Sequence, residues 1–342
     1  RNHRPETFEN WDGTKPLRFK VPELKRYEWH DEVRGTLSAG MEALDDFVLI
    51  KADGFPTYNF CHIVDDIEMG ISHVMRGEEF IASTPKFLSL YEALEVTPPI
   101  FATLPPILGE SGTKKLSKRD GAKDVLEYKK EGYVPDAMVN FLAFVGWNPG
   151  GEKEVYSRQD LVETFSLDRI QKSGARFNPE KLDWVNKEHI KLLPLEESYN
   201  QMLSYFETES LDQEVVSRLK KILPVAYDRM NTYSDFYRDF KSGEYSYITE
   251  KPSFDIQKIV WKQDTLENAQ KHLREVKIIL SSIPEDLWNI ENIKHGVWEY
   301  AEKVGRGNVL WPLRFSLSGK EKSPDPFTLA FVLGKEETLS RI

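Results

Sequence analysis

Short apolar runs separated by helical spacing organise the first part of the chain. The pattern predicts strands at residues 16–22, 29–35, 47–51, 71–75 and 101–104. Between the last three of these strands, the apolar residues recur with helical spacing over residues 56–66 and 83–94. Pro56 and the sequence Ser83-Thr84-Pro85 suit helix starts. Strand, helix, strand, helix and strand in this order predict a βαβ arrangement with a parallel sheet.

From about residue 123 the spacing becomes helical almost throughout. The apolar periodicity and its breaks predict helices at residues 124–131, 135–144, 158–165, from 177, 213–223, 265–281 and 293–304. Helix-breaking residues follow several of these segments, as in Gly146-Trp147-Asn148-Pro149. The predicted fold class is therefore α/β followed by all-α.

Length, charge and composition limit the classes of protein to which this chain can belong. The 342 residues are enough for two or three domains, and the net charge of −10 argues against a generally basic nucleic-acid binder while allowing one local basic face. No run approaches the roughly 18 apolar residues of a membrane span. The only cysteine is Cys61, and no spacing among it and the seven histidines suggests a metal site. We expect a cytoplasmic protein, or one of an organelle matrix.

A cationic loop carries the most specific chemistry. Lys114, Lys115, Lys118 and Arg119 place four cations within six residues, between glycines, after a strand and before a helix. Lysine ammonium groups on long side chains suit phosphate oxygens, so the loop could bind a triphosphate. The alternative is a solvated charged turn, which is the usual role of a charge run.

The segment Lys115-Leu116-Ser117-Lys118-Arg119 resembles the Lys-Met-Ser-Lys-Ser signature of class I aminoacyl-tRNA synthetases, in the form typical of glutamyl-tRNA synthetases. Other segments resemble the bacterial-type members of that family in the same order along nearly the whole chain. They are residues 53–60, 64–66, 70–79, 83–86, 141–143, 146–147, 181–184, 310–314 and 318–319.

The resemblance implies the second half of a Rossmann-type parallel-sheet domain, a stem-contact region and a C-terminal helical anticodon-binding domain. We place the remainder of a connective, acceptor-binding insertion at residues 1–46. The second half of the catalytic domain is predicted at residues 47–122, the stem-contact helices at 123–192 and the anticodon-binding helices at 193–342.

The same resemblance assigns the cationic loop a role in catalysis. Lys118 and Lys115 would stabilise the charge that develops on the phosphates during the reaction. Lys115, Ser117, Lys118 and Glu79 would bind ATP, which carries Mg²⁺ with it. For Glu79 the alternative is an ordinary surface carboxylate.

Glutamate binding is implied for three residues. Arg76, placed just past the strand at 71–75, would grip the γ-carboxylate, with Tyr58 donating from the preceding helix. The alternatives are an ion pair of Arg76 with Glu78, Glu79 or Asp66, and a core position for Tyr58. His62 falls where related enzymes vary, and it could either donate to the substrate or merely pack.

Contacts with tRNA are implied for Arg119, Arg314 and Ser323, the last two near the anticodon. A structural role is the alternative for Arg314 and Ser323. Trp311 is expected to belong to the core rather than to stack on a base. These roles rest on the resemblance, together with the basic and aromatic character of the segment around residues 311–322.

The activity implied is that of a glutamate–tRNA ligase. Glutamate and ATP would form glutamyl-adenylate, and the glutamyl group would pass to the 3′ end of tRNA(Glu). Whether tRNA(Gln) is also charged is left open, and a monomer is expected. The alternative is a non-catalytic tRNA-binding fragment. A glutaminyl relative is disfavoured by the helical C-terminal part, and a generic nucleotidyl transferase would not explain that part.

One family feature is missing from the sequence. No His-x-Gly-His tetrapeptide, which binds ATP phosphates in class I synthetases, occurs here, and neither do the arginine and serine that hold the substrate's α-groups. We expect that the first half of the catalytic domain lies outside these residues. The 342 residues alone should then not activate glutamate, and glutamate-dependent pyrophosphate exchange by them would contradict this expectation.

Overall fold

A computed structural model describes residue 4 and residues 11–117, 119, 122–206 and 211–342. The chain divides into two compact units, each considered by itself below. One contains Arg1–Lys123 and Met138–Leu182, and the other contains Asp124–Ala137 and Asp183–Ile342.

The first unit is built on a four-stranded mixed sheet. The strands of the unit are β1 Leu17–Arg18, β2 Tyr27–Asp31, β3 Gly35–Ala39, β4 Val48–Ile50, β5 His73–Gly77, β6 Ile100–Leu104, β7 Ile107–Leu108 and β8 Ala175–Arg176, and the pairs β1–β4 and β7–β8 lie outside the main sheet. The order in the main sheet is β3-β2-β6-β5, with β2 and β3 antiparallel and β5 and β6 parallel. The predicted βαβ unit is therefore present between β5 and β6, with helix α2 (Thr84–Ala93) as the crossover.

Two strand predictions need correction. The run at residues 47–51 does not join the parallel sheet, because β4 pairs antiparallel with β1 in a separate ribbon. A backbone hydrogen bond of 2.9 Å from Phe19 to Phe47 supports that ribbon. The segment at 29–35 is the end of β2 and a hairpin turn, since Gly35 takes a φ of +78° and starts β3.

Two helices pack beside the ribbon and the sheet. Helix α1 spans Tyr58–Glu68 and helix α2 spans Thr84–Ala93. Ile63 of α1 and Phe87, Leu90 and Tyr91 of α2 form a buried cluster with Phe47. Both helices begin one or two residues away from the predicted positions, and their packing places the N-terminal turn of α1 near the end of β5.

A buried carboxylate ties β2 to β6. Asp31, which is fully buried, accepts hydrogen bonds from the backbone amides of Val33, Arg34 and Thr103 at 2.9–3.1 Å. Its second oxygen accepts from the Thr103 hydroxyl at 2.6 Å. Because the two strands share only one ladder pair, this side chain carries much of their connection.

Three further helices lie wholly or partly in the first unit. They are α4 Pro135–Phe144, α5 Arg158–Thr164 and α6 Pro179–Leu192. The predicted bounds of α4 match those of the structure. Helix α5 begins with a reciprocal capping box between Ser157 and Asp160, which explains why its start could be read from the sequence.

The described residues of the second unit contain helices but no strand. Its remaining helices are α3 Val125–Glu131, α7 Leu195–Leu203, α8 Gln213–Ala226, α9 Tyr233–Lys241, α10 Ser246–Thr249, α11 Leu266–Ser281, α12 Ile290–Val304, α13 Arg306–Ser318, α14 Pro326–Leu333 and α15 Lys335–Arg341. Side-chain caps from Asp212, Thr265 and Asn289 fix the starts of α8, α11 and α12. Helix α8 continues past the predicted end at Leu223 because it tolerates Pro224 and buries Ala226.

Across the ranges that the structure describes, none of the helices combines the length and the apolar character that crossing a bilayer requires.

Candidate functional site

An arginine enclosed by aromatic rings is the centre of the candidate site. Arg76 lies within β5 rather than past its end, and its guanidinium carbon is 4.6 Å from the ring centre of Phe87. The rings of Phe80 and Phe101 are each 5.3 Å from the same carbon. A cation over several aromatic faces is attracted to them, which lowers the free-energy cost of removing it from water.

The arginine has spare hydrogen-bonding capacity. Its Nη2 atom is buried and has no hydrogen-bond partner among the described residues. Burial lowers the pKa of the Arg76 guanidinium, while the Tyr58 hydroxyl and Asp66 oppose the shift. A buried donor without an acceptor costs about 1–3 kcal/mol, so such a group invites an anionic ligand.

Tyr58 and His62 border the same enclosure. Tyr58 begins α1, is 53% exposed and stacks on the His62 ring at 4.8 Å, so it is not a core tyrosine. His62 meets the Phe87 ring edge-on at 4.6 Å. Its Nδ1 lies 2.7 Å from the carbonyl oxygen of Tyr58. Tyr58 is therefore within reach of a ligand at Arg76, and His62 both packs and remains partly accessible.

The ion pairs considered for Arg76 go elsewhere. Glu78 pairs with Arg34 at 2.9 Å, and Glu79 pairs with Lys115 at 3.2 Å. Asp66 accepts a hydrogen bond of 3.4 Å from the Tyr91 hydroxyl. The carboxylates nearest in sequence therefore leave the guanidinium available, which is the arrangement that a carboxylate ligand requires.

The cationic loop begins as a closed turn. Backbone hydrogen bonds join Gly109 to Lys114 at 2.9 Å and Leu116 to Ile107 at 2.7 Å. Gly112 takes a φ of +70° at the tip, where a residue with a side chain would be strained. The base of the loop is thereby held at the end of β7, while Lys114 and Lys115 remain exposed.

One contact connects this loop to the strand that carries Arg76. The Lys115 ammonium pairs with Glu79, two residues after β5. A hydrogen bond from the Glu79 backbone amide, and then Lys115, lower the pKa of the Glu79 carboxyl. Both groups are more than half exposed, so the pair contributes little to stability and can exchange for another anion. Ser117 and Arg119 follow in the loop, whereas Lys118, predicted as catalytic, lies outside the described residues.

In the second unit the predicted tRNA-contacting side chains lie together. Arg314 of α13 donates to the Ser323 hydroxyl at 3.4 Å, and its guanidinium carbon lies 4.8 Å from the Trp311 ring. Trp311 itself packs 5.2 Å from Trp261 and donates to the Lys258 carbonyl at 3.0 Å. Burial lowers the pKa of Arg314. A half-buried arginine stacked on tryptophan can present its edge to a base or a phosphate.

Several residues of these sites were not found from the sequence. Phe80, Phe87 and Phe101 form the enclosure of Arg76, and Trp261 supports Trp311. Phe101 could have been inferred only from the register of two parallel strands, in which Phe101 stands opposite Val74. Phe80 is only four residues from Arg76, whereas the contacts of Phe87 and Trp261 join segments more distant in the sequence.

Comparisons with known proteins match both parts of the chain. Residues 2–184 match the family model of class I tRNA synthetases (E and Q), catalytic domain, and residues 196–342 match an anticodon binding domain. A glutamate–tRNA ligase of Clostridium botulinum is 40% identical over 332 residues, which are 95% of this chain and 66% of the relative. One of Clostridium acetobutylicum is 37% identical over 99% of this chain and 69% of its own length.

Solved structures give the same relationship. The glutamate tRNA ligase of Elizabethkingia meningosepticum, determined in complex with its amino acid, superimposes with a TM-score of 0.75 at 35% identity, over 95% of this chain and 67% of that one. The glutamate-tRNA synthetase of Elizabethkingia anophelis gives 0.72, also at 35% identity. The chain thus spans about two thirds of the length of the relatives it matches.

Proposed function

The chain belongs to the class I tRNA synthetases of the glutamate and glutamine group, and on that basis we propose that it works as a glutamate–tRNA ligase. In the first step a glutamate carboxylate attacks the α-phosphate of ATP, forming glutamyl-adenylate and releasing pyrophosphate. In the second step a terminal ribose hydroxyl of tRNA(Glu) attacks the acyl carbon, and AMP leaves. Such a reaction relies on positioning and charge stabilisation rather than on a covalent enzyme intermediate.

The observation that carries the proposal is the incompletely hydrogen-bonded guanidinium of Arg76. It is an arginine in an aromatic enclosure, with one buried nitrogen lacking an acceptor and Tyr58 beside it. A carboxylate can accept two parallel hydrogen bonds from a guanidinium, which a lysine cannot offer. The γ-carboxylate of glutamate supplies the missing acceptor.

Nucleotide binding is proposed for the loop next to it. Lys115 and Ser117 would contact the ATP phosphates, joined by Lys118, and Mg²⁺ would arrive bound to the triphosphate. Glu79 would release Lys115 and line the nucleotide site. A triphosphate carries several negative charges where Glu79 carries one, so it can displace this exposed carboxylate.

The tRNA would be held by both units. Arg119 is proposed to contact tRNA from the loop, and Arg314 with Ser323 from the anticodon-binding part. We propose tRNA(Glu) as the substrate, a monomeric enzyme and work in the cytoplasm. Charging assays on purified tRNA(Glu) and tRNA(Gln) show which tRNA is the substrate, and sedimentation analysis shows whether the protein is a monomer.

The decisive experiment is charging of tRNA(Glu) with labelled glutamate by the protein as encoded by its gene. Arg76→Lys keeps the charge and loses the planar fork, so we expect the KM for glutamate to rise about 10- to 100-fold, the effect of losing about 1.5–3 kcal/mol. The KM for ATP should stay unchanged. Arg26→Lys, an exposed arginine of the same unit, is the matched control.

Each outcome has a definite meaning. No charging by the wild-type protein, together with tRNA binding, would replace the ligase proposal with the non-catalytic tRNA-binding fragment. Charging with an unchanged glutamate KM in Arg76→Lys would keep the ligase and remove Arg76 from the glutamate site.

A further inference from the structure

His62 has a hydrogen-bonding pattern that fixes the tautomer of its neutral form. Its Nδ1 lies 2.7 Å from the backbone carbonyl of Tyr58, and a carbonyl oxygen can only accept. Nδ1 must therefore carry the proton. In the neutral imidazole the other nitrogen, Nε2, is then an acceptor with a free lone pair.

The ring is held in place beside Arg76. Tyr58 stacks on His62 with an interplanar angle of 18°, and the Phe87 ring packs edge-on at 80°. The guanidinium of Arg76 lies on that same Phe87 ring, 4.6 Å from its centre. A ligand that reaches Arg76 with Tyr58 therefore comes next to His62.

Burial and the charge of Arg76 favour the neutral form of His62 in the absence of a ligand. Burial lowers the pKa of the His62 imidazole, and Arg76 of β5 lowers it further, against the Tyr58 carbonyl and the carboxylates of Asp66 and Asp65 on α1 itself. Helix α2 presents the uncharged Phe87 to the ring.

In this neutral tautomer, His62 interacts unfavourably with a carboxylate and favourably with an amide. A carboxylate has only acceptor atoms, so its oxygen and the lone pair of Nε2 repel each other. A proton on Nε2 turns that repulsion into a charge-assisted hydrogen bond. An amide group, by contrast, has N–H donors that satisfy the neutral Nε2 directly.

We propose that His62 makes the discrimination between glutamate and glutamine depend on pH, because it takes up a proton from solvent when the γ-carboxylate binds. This inference rests on the proposed function, and it adds a specificity-determining residue whose action depends on pH. Glutamate carries a negative charge next to the imidazole, so it favours the imidazolium, whereas glutamine does not.

The sign of the pH dependence follows from linkage. The pKa of His62 is lowered in the free protein, and the negative charge of bound glutamate should raise it. Glutamate binding then takes up a proton at pH values between the pKa of the free protein and that of the complex. Affinity for glutamate is then highest at low pH and is lost as the pH rises through the pKa of the complex. Within the range between the two pKa values, each rise of one pH unit increases the dissociation constant for glutamate about tenfold.

The test combines kinetics and histidine NMR on the protein as encoded by its gene. Between about pH 6 and about pH 8, the range in which histidine titrates, the KM for glutamate in tRNA charging should rise about tenfold. The inhibition constant of glutamine as a competitor should not rise. His62→Asn, which has an amide donor at every pH, should make the glutamate KM independent of pH. His30→Asn, at an exposed histidine of β2, should behave as wild type.

The NMR measurement separates selectivity from a structural role. In ¹⁵N-histidine spectra, with His62 identified by its loss in His62→Asn, the free protein should show protonated Nδ1 and bare Nε2. Saturating glutamate should raise the His62 pKa by about one unit, the counterpart of a tenfold change in affinity, and glutamine should leave it in place.

The failures are distinguishable. Charging with a pH-independent glutamate KM, or a His62 pKa unmoved by bound glutamate, overturns this inference and leaves the ligase proposal standing. No charging at any pH overturns the proposed function and this inference with it.

Discussion

Replacing Asp31 by alanine tests whether one buried carboxylate holds β6 in the sheet. The carboxylate accepts four hydrogen bonds, and three of the donors belong to Val33 and Thr103, which are buried. Strand β6 carries Phe101, one wall of the Arg76 enclosure, so the perturbation also reaches the candidate site.

The magnitude follows from the groups left behind. In Asp31→Ala the buried amides of Val33 and Thr103 lose their acceptor, at about 1–3 kcal/mol each. Relief from burying a carboxylate offsets part of this loss. We expect the local stability of the sheet to fall by about 3 kcal/mol.

Asp31→Asn should cost much less. The amide oxygen can still accept from the three backbone amides, and the Thr103 hydroxyl can rotate to accept from the new NH₂ group. The remaining difference is that between charged and neutral hydrogen bonds, about 1 kcal/mol. Thr103→Val, which removes only the hydroxyl, should fall between the two variants.

Native-state hydrogen exchange is the suitable assay because the chain has two units and a single unfolding transition cannot be assumed. A loss of about 3 kcal/mol corresponds to exchange on the order of a hundredfold faster in peptides covering β2 and β6. Peptides of α11, in the other unit, serve as the internal reference. Acceleration below about fivefold in Asp31→Ala, or equal acceleration in Asp31→Asn, would refute the reasoning.

Two further predictions concern packing and acid stability. A Cβ on Gly307 would lie 2.1 Å from Nε1 of Trp261, so Gly307→Ala should displace that ring and lower the stability by about 1–3 kcal/mol. The change should appear as an altered tryptophan emission and a lower Tm of the second unit, and an unchanged Tm would contradict it. Arg4 donates to Asp46 at 2.6 Å and lowers its pKa to about 2. The pair should therefore stabilise the fold above about pH 4 and lose that contribution, about 1 kcal/mol, as the pH falls toward 2, a loss that acid titration should not show in Asp46→Asn.

Local features of the fold could be predicted because they depend on neighbouring residues. The bounds of α4 and the start of α5 are set by apolar spacing and by a capping box, both written within a few positions of the chain. The fold class, α/β followed by all-α, is confirmed by the family match and the related structures.

Strand pairing is different because it depends on distant segments. Nothing within residues 47–51 distinguishes a strand of the main sheet from one that pairs with Leu17–Arg18. The hairpin at Gly35 was missed for a related reason, since a single glycine in a charged turn carries a weak signal.

The candidate site shows the same division. Arg76, Tyr58 and His62 could be singled out by resemblance, but the rings around Arg76 come from a turn, a helix and a neighbouring strand. Their convergence is a consequence of the β5–β6 register and of the packing of α2, which periodicity does not encode.

The enclosure of Arg76 argues for binding rather than stability. Aromatic faces return about 0.5–2 kcal/mol to a cation each, whereas a partly buried guanidinium loses hydration and here keeps one nitrogen without an acceptor. An apolar side chain of similar size would fill the space among the three phenylalanine rings without that cost, as buried charges replaced by apolar groups often show. A charge at a position where an apolar side chain would be more stable is explained by a ligand that supplies the missing acceptor. The acceptor nitrogen of the neighbouring His62 repels a carboxylate until it is protonated. The affinity for that ligand therefore depends on pH.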